Sequence, residues 1–162
     1  MKGEEEMFQI TSPPDARPSP RVLVADDDPV IRRLLASALK KEGYTPVVVE
    51  DGREAYRVLQ TDADFGAAIF DIQMPHLKGV DIIRHMRTER RLMRIPVMLI
   101  SSEPRIRPTG DGFAAGATVF LPKPFTAGQL RLMLRMLLDK SERAAATPRR
   151  GQGVPERLAE CG

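Results

Sequence analysis

Six polar side chains in this 162-residue chain stand where chemistry could be done. Asp26 and Asp27 follow the apolar run "RVLVA", and Asp71 follows "GAAIF". Ser101 and Ser102 follow "PVMLI", and Lys123 comes just after "TVFL". Hard oxygen donors gathered without His or Cys suit Mg²⁺, which takes one or two carboxylates and keeps several waters. A carboxylate beside such an ion can act as a nucleophile toward a phosphoryl group. Phosphoryl transfer asks chiefly for in-line positioning and for neutralised equatorial oxygens. Mg²⁺, Lys123 and the Ser101 hydroxyl would supply that neutralisation from three sides. A shared divalent cation also explains why Asp26 and Asp27 tolerate each other. Asp28 plays a different part. It precedes Pro29, and an acid at the N-cap with Pro at the first helical position starts a helix.

Something must bring these residues together from distant parts of the chain. The runs "RVLVA", "PVVV", "GAAIF", "PVMLI" and "TVFL" are of strand length, and most are rich in Val and Ile. They lack polar alternation, which predicts strands covered on both faces, as in a parallel sheet. Val30, Ile31, Leu34, Leu35, Ala38 and Leu39 recur at helical spacing, and "GREAYRVLQ", "VDIIRHMR" and "AGQLRLMLRMLL" read as further helices. A fourth helical segment, over 103–117, contains Pro108, Gly110 and Gly112 and should be short and quick to exchange its amides. Alternating strands and helices predict a doubly wound α/β domain, whose ligands bind at the carboxyl ends of the strands.

The ordered motifs "VADDDP", "IFDIQMP", "PVMLISS" and "LPKPF" resemble the receiver domain of two-component response regulators. The resemblance runs from about Arg21 to Asp139. Asp27 to Asp71 is 44 positions, Asp71 to Ser101 is 30 and Ser101 to Lys123 is 22, intervals usual in that family. The resemblance implies a five-stranded parallel sheet of order 2-1-3-4-5 with five helices, flavodoxin-like. It implies that Asp71 accepts phosphate from a sensor histidine kinase or a histidine phosphotransfer protein. Asp27, Asp71 and the Gln73 backbone carbonyl would ligate Mg²⁺, with Asp26 acting largely through water. Lys123 would pair with the phosphoryl oxygens, Ser101 would move to bond one of them, and Ser102 is small enough to admit the group. The Lys123–Pro124 bond resembles the family's cis bond. Phe120 stands where the family commonly has a rotating aromatic, though a plain core Phe fits equally well. Lys78 replaces an acid often found before the glycine and is expected in solvent.

On the last helix a 100° step puts Leu130, Met133, Leu134, Leu137 and Leu138 on one face. Leu132 and Met136 fall opposite, a candidate contact for a downstream protein or a second copy. The resemblance implies a responsive surface that combines the fourth helical segment, the fifth strand and the last helix.

Composition narrows the alternatives. Residues 1–20 carry two basic and four acidic groups and include the proline-rich "SPPDARPSP", so they read as a disordered extension. Residues 141–162 read as a flexible tail, leaving 21–140 as the folded domain. Those last residues are too few for an output domain, which favours a stand-alone receiver acting as a switch, a relay intermediate or a phosphate sink. No apolar run is long enough to cross a membrane. With Cys161 the single cysteine, a cytoplasmic protein is the simplest expectation. The pI near 9.3 raises a nucleic-acid reading. However, Arg84, Arg87, Arg90, Arg91 and Arg94 come without aromatics for stacking, and a solvated helix end is the better account. His76 and His85 are expected at the surface. An aspartyl phosphatase of the dehalogenase kind would want a second acid where Gln73 stands.

Overall fold

A computed structural model describes residues 19–102 and 116–146, with side chains as far as Asp139. Nine elements alternate along the chain: β1 (Arg21–Ala25), α1 (Pro29–Lys41), β2 (Thr45–Val49), α2 (Gly52–Thr61), β3 (Ala67–Asp71), α3 (Gly79–Thr88), β4 (Val97–Ser101), β5 (Val119–Pro122) and α4 (Ala127–Ala146). The expected helical segment over 103–117 lies outside the described residues except at Gly116 and Ala117. The five strands form one parallel sheet of order β2-β1-β3-β4-β5.

Side chains alternate across each strand, so a continuous apolar run feeds two cores. Leu23, Ala68, Phe70 and Leu99 pack on one face with Leu59 of α2 and Ile83 of α3. Val24, Ile69 and Ile100 pack on the other with Leu35 of α1 and Leu134 of α4. Each fully buried Leu, Ile or Phe contributes about 2 kcal/mol, and β3 and β4 are buried at every position. β2 departs from the expectation of strands covered on both faces. It is an edge strand, paired only with β1, and Val48 is 40% exposed. Edge position, not composition, decides this, since "VVV" is as apolar as the central runs.

The helix starts follow local chemistry. The Asp28 carboxylate accepts from Val30 N at 2.8 Å with Pro29 in the first turn, as the sequence predicts. The Asp51 carboxylate accepts from Glu54 N at 2.8 Å, while Glu54 reaches back to accept from Glu50 N at 2.8 Å. On α4, Leu130, Leu134, Leu137 and Leu138 are buried and Met133 half-buried, while Leu132 is 57% and Met136 45% exposed. The helical-wheel reading holds at all seven positions.

Two expectations about the α3 region are corrected. Arg87 is not a solvated side chain. Its guanidinium donates to Gly116 O at 2.7 and 3.2 Å, to Met93 O at 2.7 Å and to Ile95 O at 3.0 Å. Burial pulls its pKa below the usual arginine value. Gly116 has φ +106° and passes so close that a Cβ there would lie 2.8 Å from Arg87 Nε. His85 is half-buried, its ring 4.7 Å from that of Tyr56, with Nε2 3.2 Å from Glu89 Oε1 but poorly aligned for a hydrogen bond. His76 is exposed, as is Lys78, which occupies the N-cap of α3 without a side-chain cap bond.

Candidate functional site

β1, β3, β4 and β5 end at the same edge of the sheet, and their last residues and following loops bring the polar set together. Three strands run one residue further than the sequence suggests, β5 among them, which ends at Pro122. Asp71 is the last residue of β3 and Ser101 the last of β4. Both are therefore held by ladder pairing, Asp71 opposite Ile100 and Ser101 opposite Pro122. Ile72 N donates to Ile100 O at 2.9 Å, and Lys123 N donates to Ser101 O at 2.6 Å, extending the ladder past the strand ends.

Asp26 and Asp71 are almost wholly buried, at 1% and 4% exposure, and Asp27 is exposed. One carboxylate oxygen from each of the three lies within 4.8 Å of the others. Asp26 Oδ1 accepts from Asp28 N at 2.9 Å, and Asp71 Oδ1 accepts from Gln73 N at 3.2 Å. Their Oδ2 atoms share one donor: Lys123 Nζ, 3.2 Å from Asp26 and 3.1 Å from Asp71.

The charge states follow from that geometry. Burial raises the pKa of Asp26, partly offset by the Asp28 amide, and the nearby Asp71 charge raises it further. Burial likewise raises Asp71, against the lowering pull of Lys123. Burial acts to lower Lys123, but the hydrogen bond to Asp71 and the charges of Asp26 and Asp71 outweigh it, and the net shift is upward. One ammonium thus serves two buried acids, and the local charge stays negative once Asp27 is counted. A set of three carboxylates without His or Cys is a hard-oxygen site. Ligands on an Mg²⁺ octahedron at about 2.1 Å lie about 3 to 4 Å apart, so the acids need close by only a fraction of their present spacing. The residues present fit a divalent cation.

Of the remaining predicted residues, some lie beside this centre and others do not. Ser101 is 1% exposed, whereas Ser102 is exposed and lines an open recess of about 450 Å³ with Ile31, Leu34, Lys123, Pro124 and Phe125. The Lys123–Pro124 peptide is cis. Gln73 is exposed in the loop after β3. Phe120 is half-buried against the α2/α3 core. Leu132 and Met136 stand apart from the site on α4. A tie that motif reading missed is Arg32, whose guanidinium donates to Asp26 O at 2.8 Å. Its signal in the sequence is a cation in the first turn of a helix that has no acid there. Gly79 lets α3 approach the site, since a Cβ at that position would meet Asp71 O at 2.5 Å.

The family model for the response regulator receiver domain matches residues 22–135. The chain is 31% identical over 123 residues to chemotaxis protein CheY1 of Helicobacter pylori, covering 75% of this chain and 99% of that one. It is 32% identical over 155 residues to the alkaline phosphatase synthesis transcriptional regulatory protein SphR of Synechococcus elongatus, covering 90% of this chain. It is 32% identical over 133 residues to response regulator MprA of Mycolicibacterium vanbaalenii, covering 82% of this chain. The chain spans only 60% of SphR and 54% of MprA. Among solved structures, chemotaxis response regulator CheY4 of Vibrio cholerae superposes with a TM-score of 0.68 at 30% identity, covering 74% of this chain and 99% of that one. The receiver domain of sensor histidine kinase PA1611 from Pseudomonas aeruginosa, which has a magnesium ion coordinated in its active site cleft, superposes with a TM-score of 0.63 at 26% identity, covering 74% and 98%. With the sheet order, the acidic cluster and a family match over most of its length, this chain belongs to the response regulator receiver domain family.

Proposed function

We propose that the chain is a phosphorylation switch in which Asp71 accepts a phosphoryl group from a histidine kinase or a histidine phosphotransfer protein. The observation that carries this reading is the Asp71 carboxylate, fixed at the end of a buried strand, inside a three-acid cluster and bonded to Lys123. In the transfer an Asp71 oxygen attacks phosphorus and the P–N bond breaks. The electron pair returns to the donor imidazole, leaving an acyl phosphate on Asp71. Asp27, Asp71 and the Gln73 carbonyl would hold Mg²⁺, with Asp26 supporting it. When bound, Mg²⁺ neutralises charge on the phosphoryl oxygens. Lys123 exchanges its bond to Asp71 for one to a phosphoryl oxygen, and the Ser101 hydroxyl bonds another. Ser102, small and exposed just after β4, leaves room for the group to enter.

Phosphorylation adds about −1.5 to −2 charges beside Lys123 and Ser101, which are tied to each other through the backbone. That rearrangement reaches Phe120 on β5 and the α4 surface. Leu132 and Met136 there are exposed and apolar, a fitting contact for a downstream protein or a second copy. Chemistry on the chain is limited to accepting and losing its own phosphoryl group. The working unit is 21–140, with 1–20 and 141–162 outside it, and the setting is cytoplasmic. Among the described residues no helix is long and apolar enough to cross a membrane.

The test is incubation with Mg²⁺ and a small phosphodonor, followed by intact-mass measurement. One added phosphoryl group, stable in acid and labile in base, is expected. It should be absent after chelation and absent in Asp71→Asn. Persistence of the label on that variant would overturn the assignment of the nucleophile.

A further inference from the structure

The helix that follows the acidic loop opens on the Asp28 cap but carries a cation, Arg32, in its first turn. The first turn of α1 contains no acid, and Arg32 donates its backbone N–H to Asp28 O at 3.0 Å as the helix opens. A cation there faces the positive end of the helix and is unfavourable unless something else holds it. Its ion pair with Glu50 does not supply that hold. The Nη2–Oε1 distance is 3.8 Å, and the Glu50 side chain is 76% exposed. The contact that remains is Nη1 to the Asp26 carbonyl at 2.8 Å, made by a side chain only 18% exposed.

That carbonyl belongs to the peptide unit joining Asp26 to Asp27. The next peptide unit, from Asp27 to Asp28, is fixed as well, because the Asp26 carboxylate accepts from Asp28 N at 2.9 Å. Asp27 differs from its two neighbours in the cluster: it is exposed, and among the described residues its carboxylate has no hydrogen bond. What aims it at Asp26 and Asp71 is therefore the orientation of its backbone. We propose that Arg32 is a positioning residue of the metal site, clamping the Asp26–Asp27 peptide so that the Asp27 carboxylate is held ready for a divalent cation. This rests on the metal-binding part of the reading above.

The sign of one measurement separates this role from plain electrostatics. A guanidinium near three acids competes with a divalent cation, so an Arg32 that acted only through its charge would, once removed, leave tighter binding. A clamp, once removed, leaves weaker binding, and losing an outer partner of a metal ligand costs about tenfold or more in affinity. Arg32→Met keeps the aliphatic stem and deletes the donors. Calorimetric titration with Mg²⁺ should show about tenfold weaker binding to Arg32→Met than to the parent chain. The Asp27 amide resonance should move while the thermal transition stays cooperative. Equal or tighter Mg²⁺ binding by Arg32→Met would overturn the proposal. If Arg32→Met does not fold, Arg32→Lys carries the same test, because an ammonium cannot reproduce the planar fork. Weaker binding than the parent supports the clamp, and parental affinity overturns it. A parent chain with no affinity for Mg²⁺ would overturn the metal reading itself, and the clamp with it.

Discussion

Replacing Lys123 by Met tests the electrostatics of the site in the absence of any ion. The ammonium lies 3.1 Å from Asp71 and 3.2 Å from Asp26. At an effective dielectric constant near 20 each contact is worth about 5 kcal/mol of gross attraction. Desolvating the ammonium and holding the two acids together return much of it. Deleting one partner of a buried pair typically costs about 3–5 kcal/mol. The Lys123 side chain is 17% exposed, so the lower end, about 3 kcal/mol at neutral pH, is the expected loss.

The pH dependence has a definite sign. Asp26 and Asp71 already have folded pKa values raised above the ordinary 3.8. Such acids add stability below the unfolded value and lose it as pH rises through the folded one. Without Lys123 the rise is larger, so the deficit of Lys123→Met should be greatest at neutral pH and shrink on acidification toward 4. Urea titrations of both proteins at several pH values, in chelator, measure this directly. Adding Mg²⁺ should recover part of the loss in Lys123→Met, since binding to the native state stabilises it. A loss below about 0.5 kcal/mol, within the range of an ordinary surface substitution, or one that does not fall with pH, would refute the view that one ammonium serves both acids.

Asp27→Asn removes a like charge within 4.8 Å of the others; it should stabilise the unliganded protein by up to about 1 kcal/mol and abolish the further rise in melting temperature on adding Mg²⁺. Arg87→Ala should cost about 3 kcal/mol in urea unfolding, because the charge-assisted bonds to three carbonyls vanish together. The double change Leu132→Ser with Met136→Ser touches exposed positions and should leave stability within about 0.5 kcal/mol. It should leave phosphoryl acceptance intact while weakening self-association or partner capture, read by sedimentation with and without the phosphodonor.

Legibility in the sequence follows the range of the forces involved. Asp28 as a cap was readable because its partner, Val30 N, is two residues away. The buried face of α4 was readable because 3.6-residue periodicity is local. The convergence of Asp26, Asp27, Asp71 and Lys123 was readable because parallel strands must end at a common edge. Arg87 was not, since its acceptors at residues 93, 95 and 116 carry no mark in a list of side chains. Neither was the exposure of β2 from composition, because "VVV" reads like a central run and only the strand order implied by the resemblance puts it at the margin. The one-residue extension of β3 and β4 escaped for a related reason. Ladder bonds are made by backbone, and a polar side chain does not announce that its own amide is paired.

The position of Asp71 inside β3 also bears on how the chain finds its register. A strand buried on both faces lacks the apolar–polar alternation that normally penalises a slip by one residue. In "AAIFD" only size distinguishes the faces, with Ala68 and Phe70 on one side and Ala67 and Ile69 on the other. An inward slip by one would carry the Asp71 carboxylate off the sheet edge and into hydrocarbon. An unpaired charge there costs several kcal/mol, more than the size mismatch of one large residue. The acid that ends the central strand would therefore penalise a slipped register, and Asp71→Ala is expected to remove that penalty.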